Sequence, residues 1–195
     1  MTPKDSVFET LVDNEALLVL DIRLAAGVPG PIKRSLGNAL LVGIEDGTGV
    51  VTAEGDGAPR FIPIARGRAD WLGDGRLEVR QGHGFFGRAL LVEVRALPRA
   101  EGIARAFGDR VLLARDNVCV YEEIIGPSQI RLMHNHGPRL VICLSPLNTR
   151  NTLPGGEKVE VKREAGSVSW NAKAVTHEVL NGGAEPFWCV VVEHP

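Results

Sequence analysis

The sequence predicts an all-β protein built from two barrel-like halves in tandem, with little helix. Apolar residues alternate with polar ones or form short continuous runs, and clusters of Gly, Pro, Asn and Asp bound these runs. The chain also repeats weakly at an offset of about 100 residues. Its 195 residues, 44% of them hydrophobic, and its formal net charge of −2 are typical of a globular protein.

The predicted strands are short and nearly evenly spaced, as in a sandwich or barrel. In the first half they span 17–23, 39–44, 49–53, 60–64, 76–80 and 88–95. In the second half they span 111–113, 118–125, 129–135, 139–144, 158–163, 167–171, 177–180 and 187–193. Helix is predicted at 99–107 and as a short turn at 6–11, where Ser6 and Glu9 form a capping box. The polar stretch 149–152 is predicted to be a loop.

The internal repeat is visible in several segments. A shift of 100 residues places Gly37 on Gly137, residues 40–42 on 140–142, and residues 91–93 on 191–193. The pair Gly67 and Trp71 recurs as Gly166 and Trp170 at an offset of 99. A constant offset of this size indicates a duplicated domain and not a solenoid. We therefore predict a first domain at 1–97, a linker with a short helix at 98–110, and a second domain at 111–195.

Three of the five histidines form the most informative pattern in the chain. His134 and His136 are two residues apart, and a strand returns to the same face every second residue. Two neutral imidazoles on one wall make half of a transition-metal site, and His177 is the predicted third ligand. His83 and His194 are expected to be solvated. The pattern therefore predicts one metal centre.

These histidines resemble the ligands of the cupin superfamily. Its first motif is Gly, five residues, His-x-His, three or four residues, Glu, six residues, Gly; its second is Gly, five residues, Pro-x-Gly, two residues, His, three residues, Asn. Gly166, His177 and Asn181 match the second motif without a gap, although Ala172 and Ala174 replace its Pro and Gly. In the first motif His134 and His136 match, Ser128 stands in place of Gly, and Leu140 occupies the position of the carboxylate ligand.

The resemblance implies two cupin barrels of jelly-roll type in tandem, a bicupin, with a three-histidine site in the second barrel. Counting along the strand from His136, Leu140 and Ile142 are predicted to form the pocket wall. In the first copy Arg34, Leu36, and either Leu77 or Glu78 stand at the ligand positions, so this copy is expected to bind no metal. The two halves are expected to form an intramolecular pseudo-dimer, and a further homodimer is possible. The first copy is either a partner barrel or a metal-free pocket in which Arg34 faces an anion.

The resemblance also limits the chemistry. The expected cofactor is one divalent transition metal, with Fe²⁺ favoured over Zn²⁺, Ni²⁺ or Mn²⁺. Cupins that lack the glutamate include dioxygenases, so the leading hypothesis is a non-haem iron dioxygenase acting on a small chelating organic acid or thiol. The second half resembles small bacterial cupins whose substrates are mostly undefined. The alternatives are a metal-dependent isomerase or lyase using Glu122, Glu123 or Glu178 as a base, and a non-catalytic ligand-binding or metal-sensing module.

Composition argues against other partners. No basic face is evident, which disfavours nucleic acid, and no apolar run is long enough to span a bilayer. We therefore expect a small-molecule ligand or substrate, no nucleic-acid or membrane partner, and a cytoplasmic location. Cys119, Cys143 and Cys189 interrupt apolar runs and are expected to be buried and reduced. Strand parity from His136 predicts that Cys143 points away from the pocket.

Overall fold

The all-β prediction is confirmed. The computed structural model describes residues 8–23, 32–46, 50–54, 59–80, 87–98 and 110–194; at positions 32–34, 36, 50–54, 59–61, 75, 76 and 78–80 only the backbone is described. These residues form sixteen strands and include no helix. None of them belongs to a helix long and apolar enough to cross a membrane. The predicted linker helix at 99–107 and His83 lie outside the described residues.

The chain divides into two compact units, Met1–Ala96 and Leu97–Pro195. The strands of the first unit are β1 Phe8–Asp13, β2 Leu17–Arg23, β3 Ile32–Gly43, β4 Val50–Glu54, β5 Pro59–Pro63, β6 Ala69–Arg80 and β7 Arg88–Val94. Those of the second unit are β8 Arg110–Arg115, β9 Val118–Ile125, β10 Ile130–His136, β11 Arg139–Cys143, β12 Leu147–Thr152, β13 Lys158–Arg163, β14 Val168–Asn171, β15 Val175–Asn181 and β16 Phe187–Glu193.

Two local predictions were wrong. The stretch expected as a helical turn at 6–11 enters β1 at Phe8, because that strand pairs with the apolar β2 and tertiary pairing overrides a capping signal. The stretch expected as a polar loop at 149–152 belongs to β12, which pairs with β13 on one side and β15 on the other. Its polar side chains fit a strand because one of its faces borders the cavity described below.

Both units have the same strand order. The first unit is one antiparallel sheet with the order β1-β2-β7-β3-β6-β4-β5. The second unit has two sheets, β14-β11-β16-β9-β8 and β10-β15-β12-β13. The two orders coincide if β10 and β11 together correspond to β3, and β14 and β15 together correspond to β6. The second unit is thus a two-layered barrel in which the long strands are interrupted between the layers.

The pairing registers repeat with the offset found in the sequence. Leu40 pairs with Val92 in the first unit, and Leu140 pairs with Val192 in the second. Arg34 pairs with Leu77, as His134 pairs with His177, so Leu77 and not Glu78 is the counterpart of His177. The turn glycines Gly67 and Gly166 have positive φ angles of 73° and 75°. Glycine is required at such a turn because it has no Cβ to clash there.

The interior of the second unit lies between its two sheets. Apolar side chains from β9, β15 and β16 form the core: Cys119, Tyr121, Ile125, Val179, Phe187, Cys189 and Val191, with Val141 and Leu147 packed against them. The opposite face of β9 is buried too, since Val118 and Val120 are fully covered. Because β9 is buried on both faces there, residues 118–121 form a continuous apolar run in the sequence.

Candidate metal centre

The three predicted ligands converge at one end of the second barrel. His134 and His177 are direct partners across β10 and β15, and His136 follows two residues along β10. The ring centroid of His134 lies 4.7 Å from that of His136 and 4.8 Å from that of His177, and His136 and His177 are 5.4 Å apart. Imidazoles that bind one ion at about 2.0–2.1 Å have ring centres roughly 5 Å apart. The histidine pattern therefore produces the geometry that a metal site requires.

Hydrogen bonds leave the Nε2 atoms for a metal. His134 Nδ1 lies 2.7 Å from the carbonyl oxygen of Leu132. Because a carbonyl oxygen only accepts, Nδ1 carries the proton and Nε2 carries the lone pair. His136 Nδ1 is 3.2 Å from the hydroxyl of Tyr121, so its Nε2 is likewise the atom left for a metal. Such contacts fix the orientation and tautomer of metal-ligating histidines.

The environment keeps two of the rings neutral. Burial, with smaller contributions from Arg139 and the other histidines, lowers the pKa of His136 to about 2. Burial, followed by His134, lowers the pKa of His177 to about 4. The Nε2 atom of His177 is buried and has no hydrogen-bond partner among the described residues. A buried polar atom of this kind costs free energy, and a metal ion at the centre of the triad would satisfy it.

The position of the usual cupin carboxylate is apolar. Among the described residues only His134, His136 and His177 form a group of metal-binding side chains. Val141 lines the cavity beside His136 and His177. In the form of the first cupin motif that has four residues between the second His and the Glu, Val141 stands at the position of the Glu. The predicted wall residues Leu140 and Ile142 are fully buried but do not line this cavity.

The wall prediction was wrong because strand parity does not continue from His136. Residues 137 and 138 separate β10 from β11, and these strands belong to different sheets. The alternation therefore restarts at Arg139, and Arg139, Val141 and Cys143 face the cavity. Cys143 is thus also on the opposite face from the one predicted. Burial raises its pKa, so the thiol is protonated at neutral pH and is a poor nucleophile.

Two residues at positions of the cupin motifs have structural roles. Asn181 is buried and donates to the carbonyl oxygens of Ile125 at 2.8 Å and Glu185 at 2.9 Å. Its Oδ1 accepts from the backbone of Gly183 at 2.9 Å, so Asn181 fixes the loops at the end of β15. Ser128 stands where the motif has glycine and adopts a φ of 59°. This left-handed conformation explains the glycine preference at that position.

A cavity of about 160 Å³ adjoins the histidines between the two sheets. Its polar lining includes residues that the sequence did not single out: Arg139, Asn151, Ser169 and Asn171. An adjoining depression shares Arg139, Asn151, Asn171 and His177 and is bordered by residues 172–175. Residues 172–174, which connect β14 to β15, therefore line this depression beside the cavity. Polar residues within strands usually face solvent. Only the spacing of Ser169 and Asn171, two residues apart on β14, could have indicated that polar side chains face the interior.

Three acidic residues near the site differ in what they face. Glu123 lines the cavity and its carboxylate is 2.8 Å from the guanidinium of Arg131. Glu122 has its side chain on the other face of β9 and receives hydrogen bonds from Arg110 at 2.6 and 2.8 Å. Glu178 follows His177 on β15 and is absent from the cavity lining. Of the three bases proposed from the sequence, Glu123 alone faces the cavity.

Comparison with solved structures identifies the fold. A cupin 2 conserved barrel domain protein from Leptotrichia buccalis aligns over 100% of this chain and 92% of its own, with 16% identity and a TM-score of 0.59. An oxalate decarboxylase from Bacillus subtilis aligns over 92% of this chain and 68% of its own, with 13% identity and a TM-score of 0.62. No protein-family model and no curated protein sequence matches the chain. The chain has the cupin fold, and the resemblance inferred from its motifs is confirmed at that level.

Proposed function

We propose that this cupin-fold chain binds one divalent metal through His134, His136 and His177 and is a non-haem iron dioxygenase for a small chelating organic acid or thiol. The observation that carries the proposal is the convergence of three imidazoles, together with the buried Nε2 of His177, which has no hydrogen-bond partner among the described residues. Zn²⁺, Ni²⁺ and Mn²⁺ remain possible occupants, because imidazole binds each of them.

The donor set supports a reactive metal rather than a purely structural one. Three neutral nitrogens leave the double charge of the ion intact, and structural zinc sites normally have four protein ligands. When bound, a divalent ion in such a site supplies Lewis acidity and, if it is iron, redox chemistry toward dioxygen. Val141 contributes no negative charge where related motifs have a carboxylate. An anionic chelating substrate would therefore find both charge and space beside the triad.

The cavity supports a small substrate. An enclosed cavity of about 150 Å³ holds a molecule the size of benzene, and the volume here is about 160 Å³. His136 and His177 form part of its lining, so a molecule inside it would contact the metal-binding rings directly. Val141, Val179 and Phe187 supply an apolar surface in the same space.

The proposal is tested by metal analysis and oxygen uptake. Chain purified without oxygen should contain iron at the triad, and ferrous chain supplied with chelating organic acids and thiols should consume dioxygen. His177→Ala should abolish both the metal and the uptake, whereas His194→Ala should change neither. Tight binding of an organic acid without any turnover would instead indicate a ligand-binding or metal-sensing module. Zinc as the native metal, with no oxygen uptake after loading with iron, would reject the dioxygenase.

A metal-dependent isomerase or lyase is the second candidate, and the position of Glu123 favours it. This carboxylate lines the cavity, is 6% exposed and pairs with Arg131, which orients it. A carboxylate so placed could take a proton from a metal-chelating substrate. Glu123→Gln should then abolish turnover while leaving metal content unchanged. Retained oxygen uptake in this variant would favour the dioxygenase. Further dimerisation and a cytoplasmic location stay predictions.

A further inference from the structure

The wall opposite the metal ligands carries a buried cation. His134, His136 and His177 lie on β10 and β15 of the four-stranded sheet, whereas Arg139 lies on β11 of the five-stranded sheet. Arg139 is 8% exposed and lines both the cavity and the adjoining depression. Its one hydrogen bond within the described residues is a 3.4 Å contact from its guanidinium to the carbonyl oxygen of Gly137. A guanidinium has five N–H donors, so most of those of Arg139 make no hydrogen bond to the described residues.

Among the described residues, no carboxylate forms an ion pair with Arg139. Within the described part of the chain the ion pairs below 4.0 Å do not include this residue, and Glu123 pairs with Arg131. Glu123 and Glu193 act on Arg139 only at longer range; burial lowers the pKa of the guanidinium and these acids oppose that effect. A buried guanidinium stays charged and is costly without a partner. An anion bound in the cavity would supply that partner.

The barrel itself does not require an arginine at this position. The register Arg139↔Glu193 in the second unit matches Ala39↔Glu93 in the first. Ala39 is fully buried in the apolar core of its unit, so the same fold is built there with a methyl group. Arg139 is therefore better explained by a ligand than by packing.

Two further polar atoms extend the anion site. Arg139 pairs with Asn171 across β11 and β14, and Ser169 is two residues before Asn171 on the same face. The Oγ of Ser169 and the Oδ1 of Asn151 are buried and have no hydrogen-bond partner among the described residues. The hydroxyl of Ser169 can donate to a carboxylate beside Arg139, and the Oδ1 of Asn151 can accept from a hydroxyl group.

We propose that the cavity binds a small 2-hydroxy carboxylate, with its carboxylate on Arg139 and Ser169 and its hydroxyl donating to Asn151. This inference rests on the proposed function in that it names the substrate class of the same site. It does not depend on the metal, because the anion-binding groups lie on the other sheet. A 2-hydroxy acid of benzene-like size also fits the volume of about 160 Å³.

The test uses three probes of matched size on the full chain. Lactate has the carboxylate and the hydroxyl, propionate lacks the hydroxyl, and lactamide lacks the charge. Calorimetric titration of the metal-free chain should give millimolar binding of lactate, weaker binding of propionate, and no binding of lactamide. Arg139→Met should weaken lactate binding about 10- to 100-fold, and Ser169→Ala about 3- to 10-fold. Arg139→Lys keeps the positive charge and should retain part of the affinity for lactate. It therefore distinguishes the loss of the anion site from a failure of Arg139→Met to fold.

The controls separate this inference from the metal proposal. Arg150→Met removes an exposed guanidinium on β12 and should leave lactate binding unchanged. His134→Ala should lose metal but still bind lactate through Arg139, because His134 does not line the cavity, and this holds even if the dioxygenase proposal fails. If Arg139→Met binds lactate as tightly as the parent, or if lactamide binds as well as lactate, the anion site is wrong. Iron-dependent oxygen uptake with other substrates, while neither carboxylate binds, would overturn the anion site and leave the proposed function standing.

Discussion

The two units share one framework but differ in what they place inside it. In the first unit Leu20, Ala39, Leu41 and Leu77 are buried in a single apolar core. Pairing register and repeat offset place these residues at the positions of Tyr121, Arg139, Val141 and His177 in the second unit. Three of the four apolar side chains are thus replaced by polar or ionisable ones.

This difference shows that the same pattern of strand pairing can enclose interiors of different chemistry. Backbone hydrogen bonds and the alternation of buried residues maintain the strand order in both units, as the repeated registers demonstrate. The interior of the first unit is filled by aliphatic side chains, which stabilise it by burying apolar surface. The second unit gives up part of that burial for polar groups around a cavity, and a bound ligand or metal can offset the cost.

The largest expected effect is on metal stoichiometry. The parent chain should bind about one divalent ion, and replacement of His134, His136 and His177 together by Ala should remove essentially all of it. Elemental analysis after exposure to excess zinc and desalting gives the measurement. Parallel replacement of His83 and His194 by Ala should leave the stoichiometry unchanged. An ion that persists in the triple variant would show that the first unit binds metal, which would break the proposed difference between the units.

A pair of adjacent substitutions tests which face of β11 borders the cavity. Leu140→Glu buries a charge without a partner and should lower the free energy of unfolding by about 4 kcal/mol. Val141→Glu places its carboxylate near the histidines and Arg139, so the zinc-loaded variant should be much less destabilised. It should also bind zinc about 10-fold more tightly, because a fourth ligand is added. Urea denaturation and zinc titration of both variants provide the data. Equal destabilisation, or tighter zinc binding by Leu140→Glu, would support the original prediction that Leu140 faces the cavity.

The sequence predicted the histidine cluster and the repeated strand registers for a shared physical reason. Strand alternation places His134 and His136 on one face, and a constant offset survives because equivalent strands keep equivalent registers. The pocket wall could not be predicted in the same way, since the two residues between β10 and β11 reset the alternation. Arg139 was missed because a charged residue beside a Gly-Pro turn is normally solvated. Tyr121, read as part of an apolar run, became recognisable only once its hydroxyl was located beside His136.

The third prediction concerns Gly43 in the first unit, which lies against the backbone of Ala65. Gly43 corresponds to Cys143, and a Cβ at Gly43 would clash with the carbonyl oxygen of Ala65. Gly43→Ala should therefore lower the free energy of unfolding by about 3 kcal/mol, since the backbone must shift. Gly37→Ala is the matched control, because nothing lies within 4 Å of its Cβ position and the expected change is within about 0.5 kcal/mol. Equal stability of both variants in urea would mean that the two units do not differ at this turn.

The smallest expected effect tests the hydrogen bond between Tyr121 and His136. Tyr121 is 1% exposed and its counterpart in the first unit is Leu20, so the hydroxyl serves the site and not the barrel. Tyr121→Phe keeps the ring in the core but removes the group that orients His136 through Nδ1. Zinc affinity should fall about 10-fold, which is the usual cost of losing a group that orients a ligating histidine. The matched control is Ser145→Ala, which removes a hydroxyl bonded to Trp188 and Pro186 in the same unit, away from the histidines. It should lower the free energy of unfolding by about 1 kcal/mol and leave zinc affinity unchanged. If both variants weaken zinc binding equally, the loss reflects general destabilisation; if neither does, the hydroxyl of Tyr121 has no part in holding His136.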